Sequence, residues 1–463
     1  MNGAGMIRSG ALALLGVAMG PALAWADAAP PCSTPDSERA PDPACGEELD
    51  GRAAPVSSAG VDAGRAALLV PRLAARAAFW PLVQTSDVIE GHELQHWMRD
   101  LLTSDDQLVG VRPVLTYATG FVPSAGLRAF YNRLPAGSGL AAHFQTAGPS
   151  VLLGELWGTA PAWTGLSVHV SANRRDDRLF AGIGPNSDAA LSALGLAQAR
   201  FASDIFTADA RWLRPLPARF LLVLHGDVQR RDYRAADVQG GPSVADVFRS
   251  PGCAAGAAPS NDCVDDTLVP GFARGLRIAH AGATLAWNQR DRTRDGSGVD
   301  VMVDATVGQG IASDPSRHVT FSGETTLALG GGDRLFLVRG RAAVVRNLAD
   351  TLVPFEELVS PSGNAGMRGF PEGRFRGPSG AVGTAEYRWY VSHYIDASLF
   401  SDVGTVGGPA FSGLGQRWFP DFGFGLRFYS TPDEYWKGAL NSGVQIVYAP
   451  DGGVRVLLAV AAF

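Results

Sequence analysis

"HVTFSGETTLALGGGDRLFLVRGRAAVV", residues 318–345, decides the fold. In its first half apolar and polar side chains alternate, a glycine-rich turn follows, and the second half runs mostly apolar for about ten residues. A period of two belongs to a β-strand, whose successive side chains point to opposite faces. Comparable segments recur from about Val109 to Phe463, among them "VRPVLTYATG", "GLSVHVSANR", "ARFLLVLHGDVQRRDY", "GVDVMVDATVGQG", "FGFGLRFYS" and "GVRVLLAVAAF". Sixteen of them between 108 and 463 allot about 22 residues to each strand with its connection, and no internal helix interrupts them.

Short turns such as "APDGG" (449–453) are read as alternating with longer links such as 234–273. Together with an even strand count, this predicts a sixteen-stranded antiparallel transmembrane β-barrel over 106–463. A water-soluble sandwich would also alternate, but an open sheet of this length would expose an unpaired edge, so closure is the better solution. The last strand stops at Phe463, read as a carboxyl-terminal strand signal.

Composition agrees. The 463 residues are 46% hydrophobic and only 18% charged, and the 57 glycines are about 12% against a usual 7%. A net charge of -6 offers no basic stripe, so nucleic acid is not an expected partner.

Ahead of the barrel three segments differ in character. Arg8, the apolar run "ALALLGVAMGPALAWA" and the small residues Ala24 and Ala26 read as a signal peptide over 1–26, cleaved after Ala26. Residues 27–65 are Pro/Ala-rich with few large apolar side chains and read as a disordered linker. Residues 66–105 carry Leu and Trp at helical spacing and read as a short periplasmic helical segment. In an exported chain, four cysteines in two local pairs, Cys32 with Cys45 and Cys253 with Cys263, favour two disulfides over a metal site.

The helical segment contains "GHELQHWMRDLL" (91–102), in which His92 and His96 would share a helix face with Glu93 between them, the pattern of a zinc metalloprotease. No neighbouring segment offers a third ligand; the next glutamate, Glu155, already lies in the barrel region. The segment is therefore read as an amphipathic lead-in to the barrel, with Leu94, Trp97 and Leu101 as its apolar contacts, and no metal, cofactor or catalytic residue is expected. Trp157, Trp163, Trp212, Tyr387, Trp389, Tyr390 and Tyr394 are expected in interfacial girdles.

The most unusual stretch is "GNAGMRGFPEGRFRGPSG" (363–380), between the eleventh and twelfth strands, whose glycines allow tight folding and whose arginines belong in a wet lumen or outside. "MRGF" (Met367, Arg368, Gly369, Phe370) is followed by "GTAE" (Gly383 to Glu386) and "FSDVG" (Phe400, Asp402, Gly404). These three motifs, in this order, resemble those of the BamA/TamA-like outer-membrane assembly superfamily, also called bacterial surface antigen barrels. The family has V/I-R-G-F/Y, so Met367 replaces a β-branched residue.

The resemblance implies that the loop dips into the lumen, where Arg368 pairs with Asp402 and with Glu386. It implies a bacterial outer-membrane location, lipid around the barrel, an unfolded outer-membrane or secreted client, and a protein-insertion or transport role without enzymatic activity. POTRA modules, the α/β client-binding domains of the family, are not legible before the barrel, so a separate periplasmic partner is expected to supply them. In this role the last strand, across a weakened seam with the first, would template an incoming strand. A passive pore or surface antigen with a closed barrel remains the alternative, and a zinc protease on His92, Glu93 and His96 comes last.

Overall fold

The structure, a computed structural model, describes residue 80 and residues 101–106, 108–161, 164–184, 198–236, 242–253, 260–290, 296–312, 314–331, 334–364, 366–392, 395–428 and 442–461. The expected signal peptide, the linker, His92, Glu93, His96, Cys32, Cys45, Phe463 and nearly all of the expected helical segment lie outside these residues.

Alternation gives sixteen strands: β1 (Val109–Ala118), β2 (Ser124–Leu134), β3 (Ser138–Thr146), β4 (Val151–Thr159), β5 (Leu166–Phe180), β6 (Ala199–Pro215), β7 (Phe220–Ala235), β8 (Leu276–Asn288), β9 (Gly298–Gly310), β10 (Arg317–Gly331), β11 (Arg334–Asn347), β12 (Ser379–Ser392), β13 (Ile395–Gly407), β14 (Phe419–Phe428), β15 (Ser442–Ala449) and β16 (Gly453–Ala461). Each strand pairs with its sequence neighbours, and β16 returns antiparallel to β1, closing the barrel. Among the described residues closure leaves no strand without a neighbour on either side, as a hydrocarbon surround requires. No helix among the described residues is long and apolar enough to cross a membrane.

Register assigns the faces. Glu324 of β10 lies opposite Met302 of β9 and Arg341 of β11, which sets the lumen row. One residue away the opposite face is apolar and open: Val303 is 51% exposed, Phe321 51% and Leu329 55%. Leu127, Phe144, Leu399, Phe422 and Val454 continue this surface around the barrel. So much exposed apolar area suits lipid and no soluble sandwich.

Trp212, Phe220 and Trp287 lie on the outer face toward the end with the turns 135–137 and 216–219, the Phe220 and Trp287 rings 6.3 Å apart. Tyr387 and Trp389 stack at 5.8 Å on the outer face of β12. Two of the aromatics expected in girdles do otherwise. Trp157 shares the lumen face of β4 with Glu155, its ring 6.2 Å from that of His143 and 5.1 Å from that of His169. Tyr390 falls on the face of Glu386. The physical reason is parity: one step from the outward Leu156, a strand residue must point inward. Trp163 and Tyr394 lie outside the described residues.

The expected alternation of turns also needs a correction. The turn after β15 and the link 236–275 follow odd-numbered strands and so lie at the same end of the barrel. Length alone does not assign a turn to a side; strand parity does. At this loop end the connections pack over the ends of β5 to β7. Phe180, Phe201, Tyr233, Phe272 and Phe355 form one buried core with Val244, Phe248 and Val264, and the Phe180 and Phe201 rings each sit 5.4 Å from Phe355. The described part of 236–275, which carries the bonded Cys253 and Cys263, is thus packed on the strands rather than being a free external excursion.

Candidate functional site

The connection 348–378 between β11 and β12 crosses the lumen and is held at two places. Its glycines explain how. A Cβ on Gly369 would come within 2.5 Å of Asp421 Cβ and 3.0 Å of Ala449 Cβ, and one on Gly404 would run into Met367 Sδ. With no Cβ at Gly369 the loop backbone lies directly on β14 and β15, and with none at Gly404 of β13 the Met367 side chain seats against that strand.

There Arg368 meets two carboxylates. Its Nε and Nη2 donate to Asp402 Oδ2 and Oδ1 at 2.8 and 3.0 Å, and Nη1 donates to Glu386 Oε2 at 3.1 Å. The guanidinium carbon lies 3.3 Å from the Phe400 ring centre. This is the planar fork that matches carboxylate geometry and stacks on an aromatic face. Burial works against the charge on Arg368, but Asp402 and Glu386 raise its pKa above the ordinary guanidinium value.

The backbone joins in. Arg368 N donates to Asp402 Oδ2 at 3.2 Å and Gly369 N to Asp421 Oδ2 at 2.8 Å, while Arg455 of β16 donates from Nη1 to the Arg368 carbonyl at 2.7 Å. Thr384 donates to Asp402, and Arg388 and Arg427 reach Glu386. Met367, Phe370, Phe375, Val382, Val406 and Phe419 seal the site with a dry cluster. The loop is therefore tied to β12, β13, β14 and, through Arg455, to the closing strand.

The second anchor is "FEE", Phe355–Glu357. Glu356 faces Arg178 of β5 at 3.7 Å, Arg231 of β7 at 3.4 Å and Arg376 of the loop itself at 3.9 Å. Burial alone would push its carboxyl up; the three guanidiniums outweigh that and hold it below the usual range. Glu357 Oε1 forms an ion pair with Arg231, 2.9 Å from Nη1, and the carboxylate faces His280 of β8 and His318 of β10. The connection is thus a strut between opposite sides of the lumen. Cross-linked by charged groups on both sides, it is a rigid element, because buried ionic networks tolerate little displacement.

Of the sequence-derived residues, the structure brings Met367, Arg368, Gly369, Phe370, Glu386, Phe400, Asp402 and Gly404 together. Gly383 faces outward, and a Cβ there would make only an ordinary 3.6 Å contact with Val403, so nothing in the structure requires glycine at that position. Sequence reasoning missed Asp421, Arg427 and Arg455, and the whole Glu356–Glu357 anchor. One signal was available: two glutamates inside the apolar stretch "VPFEELV" (353–359) are costly to bury without partners. It also missed a ladder on the β3 to β6 wall, where His143 Nδ1 lies 2.7 Å from Glu155 and His169 Nδ1 2.6 Å from Asp209.

No protein-family model and no curated protein sequence matches the chain. Among solved structures it is similar to BamA from Haemophilus ducreyi lacking POTRA domains 1-3, at 13% identity and a TM-score of 0.51, covering 76% of this chain and 70% of that one. It is also matched with CdiB from Escherichia coli (14% identity, 76% and 63% covered, TM-score 0.47) and CdiB from Acinetobacter baumannii (13%, 76% and 60%, 0.44). The chain spans less than two thirds of the length of either CdiB chain. What the BamA likeness shows is the fold: the chain shares its barrel architecture.

Proposed function

We propose that this chain is an outer-membrane barrel that handles polypeptide substrates across the β1–β16 seam, with the lumen strut as the brace that keeps the remaining wall rigid. One observation carries the reading. Among the described residues the seam is held by the short register Val114↔Ala461 to Ala118↔Leu457. The next shortest, Gly443↔Ala459 to Ala449↔Gly453 and Phe422↔Tyr448 to Phe428↔Ser442, are each two residues longer, and β6–β7 runs from Phe201↔Ala235 to Pro215↔Leu221. Strand separation costs less where fewer ladder bonds hold, so a barrel that opens would open here. An exposed strand edge is a template for β-augmentation, which gives such a seam a use. The chemistry is non-enzymatic.

The connection that crosses the lumen, anchored to both walls, weighs against a freely conducting pore. A closed surface antigen remains the competing reading, supported by the intact, if short, β1–β16 ladder.

The test cross-links the register partners Thr116 and Ala459 as a Thr116→Cys/Ala459→Cys pair in vesicles that also receive an unfolded eight-stranded barrel client. The reading expects client insertion by the reduced protein, loss on oxidation and recovery on reduction, with oxidised wild type as control for the native cysteines. Insertion that is indifferent to the cross-link, or absent from every form, favours the closed reading.

A further inference from the structure

His280 of β8, Gly308 of β9 and His318 of β10 are register partners in one lumen row. A Cβ on Gly308 would lie 2.5 Å from His318 Cε1, 2.6 Å from His318 Nε2 and 3.0 Å from His280 Cδ2. The two rings lean together over the space that glycine leaves, with centroids 5.9 Å apart. From the strut, Glu357 brings Oε2 to 3.1 Å from His280 Nε2 and 3.3 Å from His318 Nε2. All three ligand atoms lie within 4.8 Å of one another, and His318 is 2% exposed.

The surroundings suit a cation. His280 Nδ1 lies 2.9 Å from Asp227 Oδ1, so both nitrogens of this ring face carboxylate oxygens, which only accept. Either the ring donates twice as an imidazolium or its Nε2 lone pair and the Glu357 oxygen share another Lewis acid. Two Nε2 atoms converge on the same oxygen. The edges of a tetrahedron around an ion with ligands at ~2.0–2.1 Å are about 3.3 Å, close to the separations from Oε2. Asp227 stands where a carboxylate behind a metal-bound histidine fixes its tautomer. Arg231 engages the other Glu357 oxygen at 2.9 Å, which leaves Oε2 as the single donor.

We propose that His280, His318 and Glu357 form a site for a divalent transition metal, Zn²⁺ fitting the two-nitrogen, one-oxygen donor set, with solvent in the remaining position. Such an ion staples the lumen strut to β8 and β10. It uses none of the residues of the His92–Glu93–His96 motif and does not depend on the seam.

The full chain, purified in detergent and stripped with a chelator, is titrated with Zn²⁺ and with Co²⁺ as a spectroscopic reporter. The expected result is about one equivalent of Zn²⁺ by elemental analysis and the intense visible bands of tetrahedral Co²⁺. His318→Ala and Glu357→Gln should lose both signals, while His225→Ala, altering a lumen histidine that faces Asp304, and the double His92→Ala/His96→Ala variant should keep them. Should His318→Ala fail to fold, the loop variant Glu357→Gln and the wild-type Co²⁺ spectrum still decide. Folded wild type that takes up no Zn²⁺ at micromolar concentration, binding that survives in folded Glu357→Gln, or binding lost only with His92 and His96 overturns the site.

Discussion

Replacing Arg368 with alanine removes a guanidinium that is 5% exposed from a carboxylate, Asp402, that is fully buried. The two acids it serves are left in different states. Glu386 keeps Arg388 and Arg427. Among the described residues Asp402 keeps the Thr384 hydroxyl, the backbone N–H of residue 368 and the Asp421 carboxyl beside it in register. An uncompensated buried charge costs about 3–5 kcal/mol, whereas losing one hydrogen bond from a still-paired acid costs about 1 kcal/mol.

Arg368→Ala and Asp402→Ala should therefore each destabilise the folded barrel by about 3–5 kcal/mol. A double Arg368→Met/Asp402→Leu variant should recover much of the loss, because it removes both charges together. The assay is heat-modifiable migration in detergent, backed by urea unfolding followed through tryptophan fluorescence. Limited trypsin digestion adds a local readout: Arg376, buried and donating to the Phe355 carbonyl at 3.1 Å, should become a cleavage site once the strut loosens. Unchanged migration and midpoint in both single variants would refute the claim that this pair anchors the strut.

Other expectations follow from the same geometry. Glu356→Gln should take the carboxylate away from Arg178 and Arg376, while Arg231 keeps Glu357, and cost about 2–4 kcal/mol, read by the same unfolding curves; an unchanged curve would mean that the second anchor is energetically idle. Val303→Arg places a charge on the lipid face and should lower stability in vesicles by about 2–4 kcal/mol, while Met302→Arg, one residue away and opposite Glu324, should be nearly neutral; equal effects would contradict the assigned faces. Gly308→Val should displace the His280 and His318 rings and abolish Zn²⁺ uptake, and retained stoichiometric zinc would count against the row as the metal's floor. Replacing Cys253 and Cys263 with serine should cost about 2–3 kcal/mol and admit protease to the mouth loop, visible as new cleavage between 236 and 275 at unchanged barrel migration.

What the sequence determined by itself was periodicity and its consequences. Alternation in "HVTFSGETTLALGGG" needs no partner to be read, since a strand's two faces are a property of the backbone. Sixteen such runs, few charges and many glycines sufficed for a closed membrane barrel, because lipid forbids an open edge. The arginine of "MRGF" and the acids of "GTAE" and "FSDVG" were legible only through resemblance to a family, 34 residues separating Arg368 from Asp402. Tertiary structure alone decided the rest. Whether Trp157 faces lipid or lumen depends on the registration of its strand, one residue of which inverts the answer. The partners of Glu356 and Glu357 come from β5, β7, β8 and β10, up to about 180 residues away in the chain. No local pattern marks such a meeting. It exists because a loop between β11 and β12 turned inward and found, on a wall already closed, the charges that could hold it.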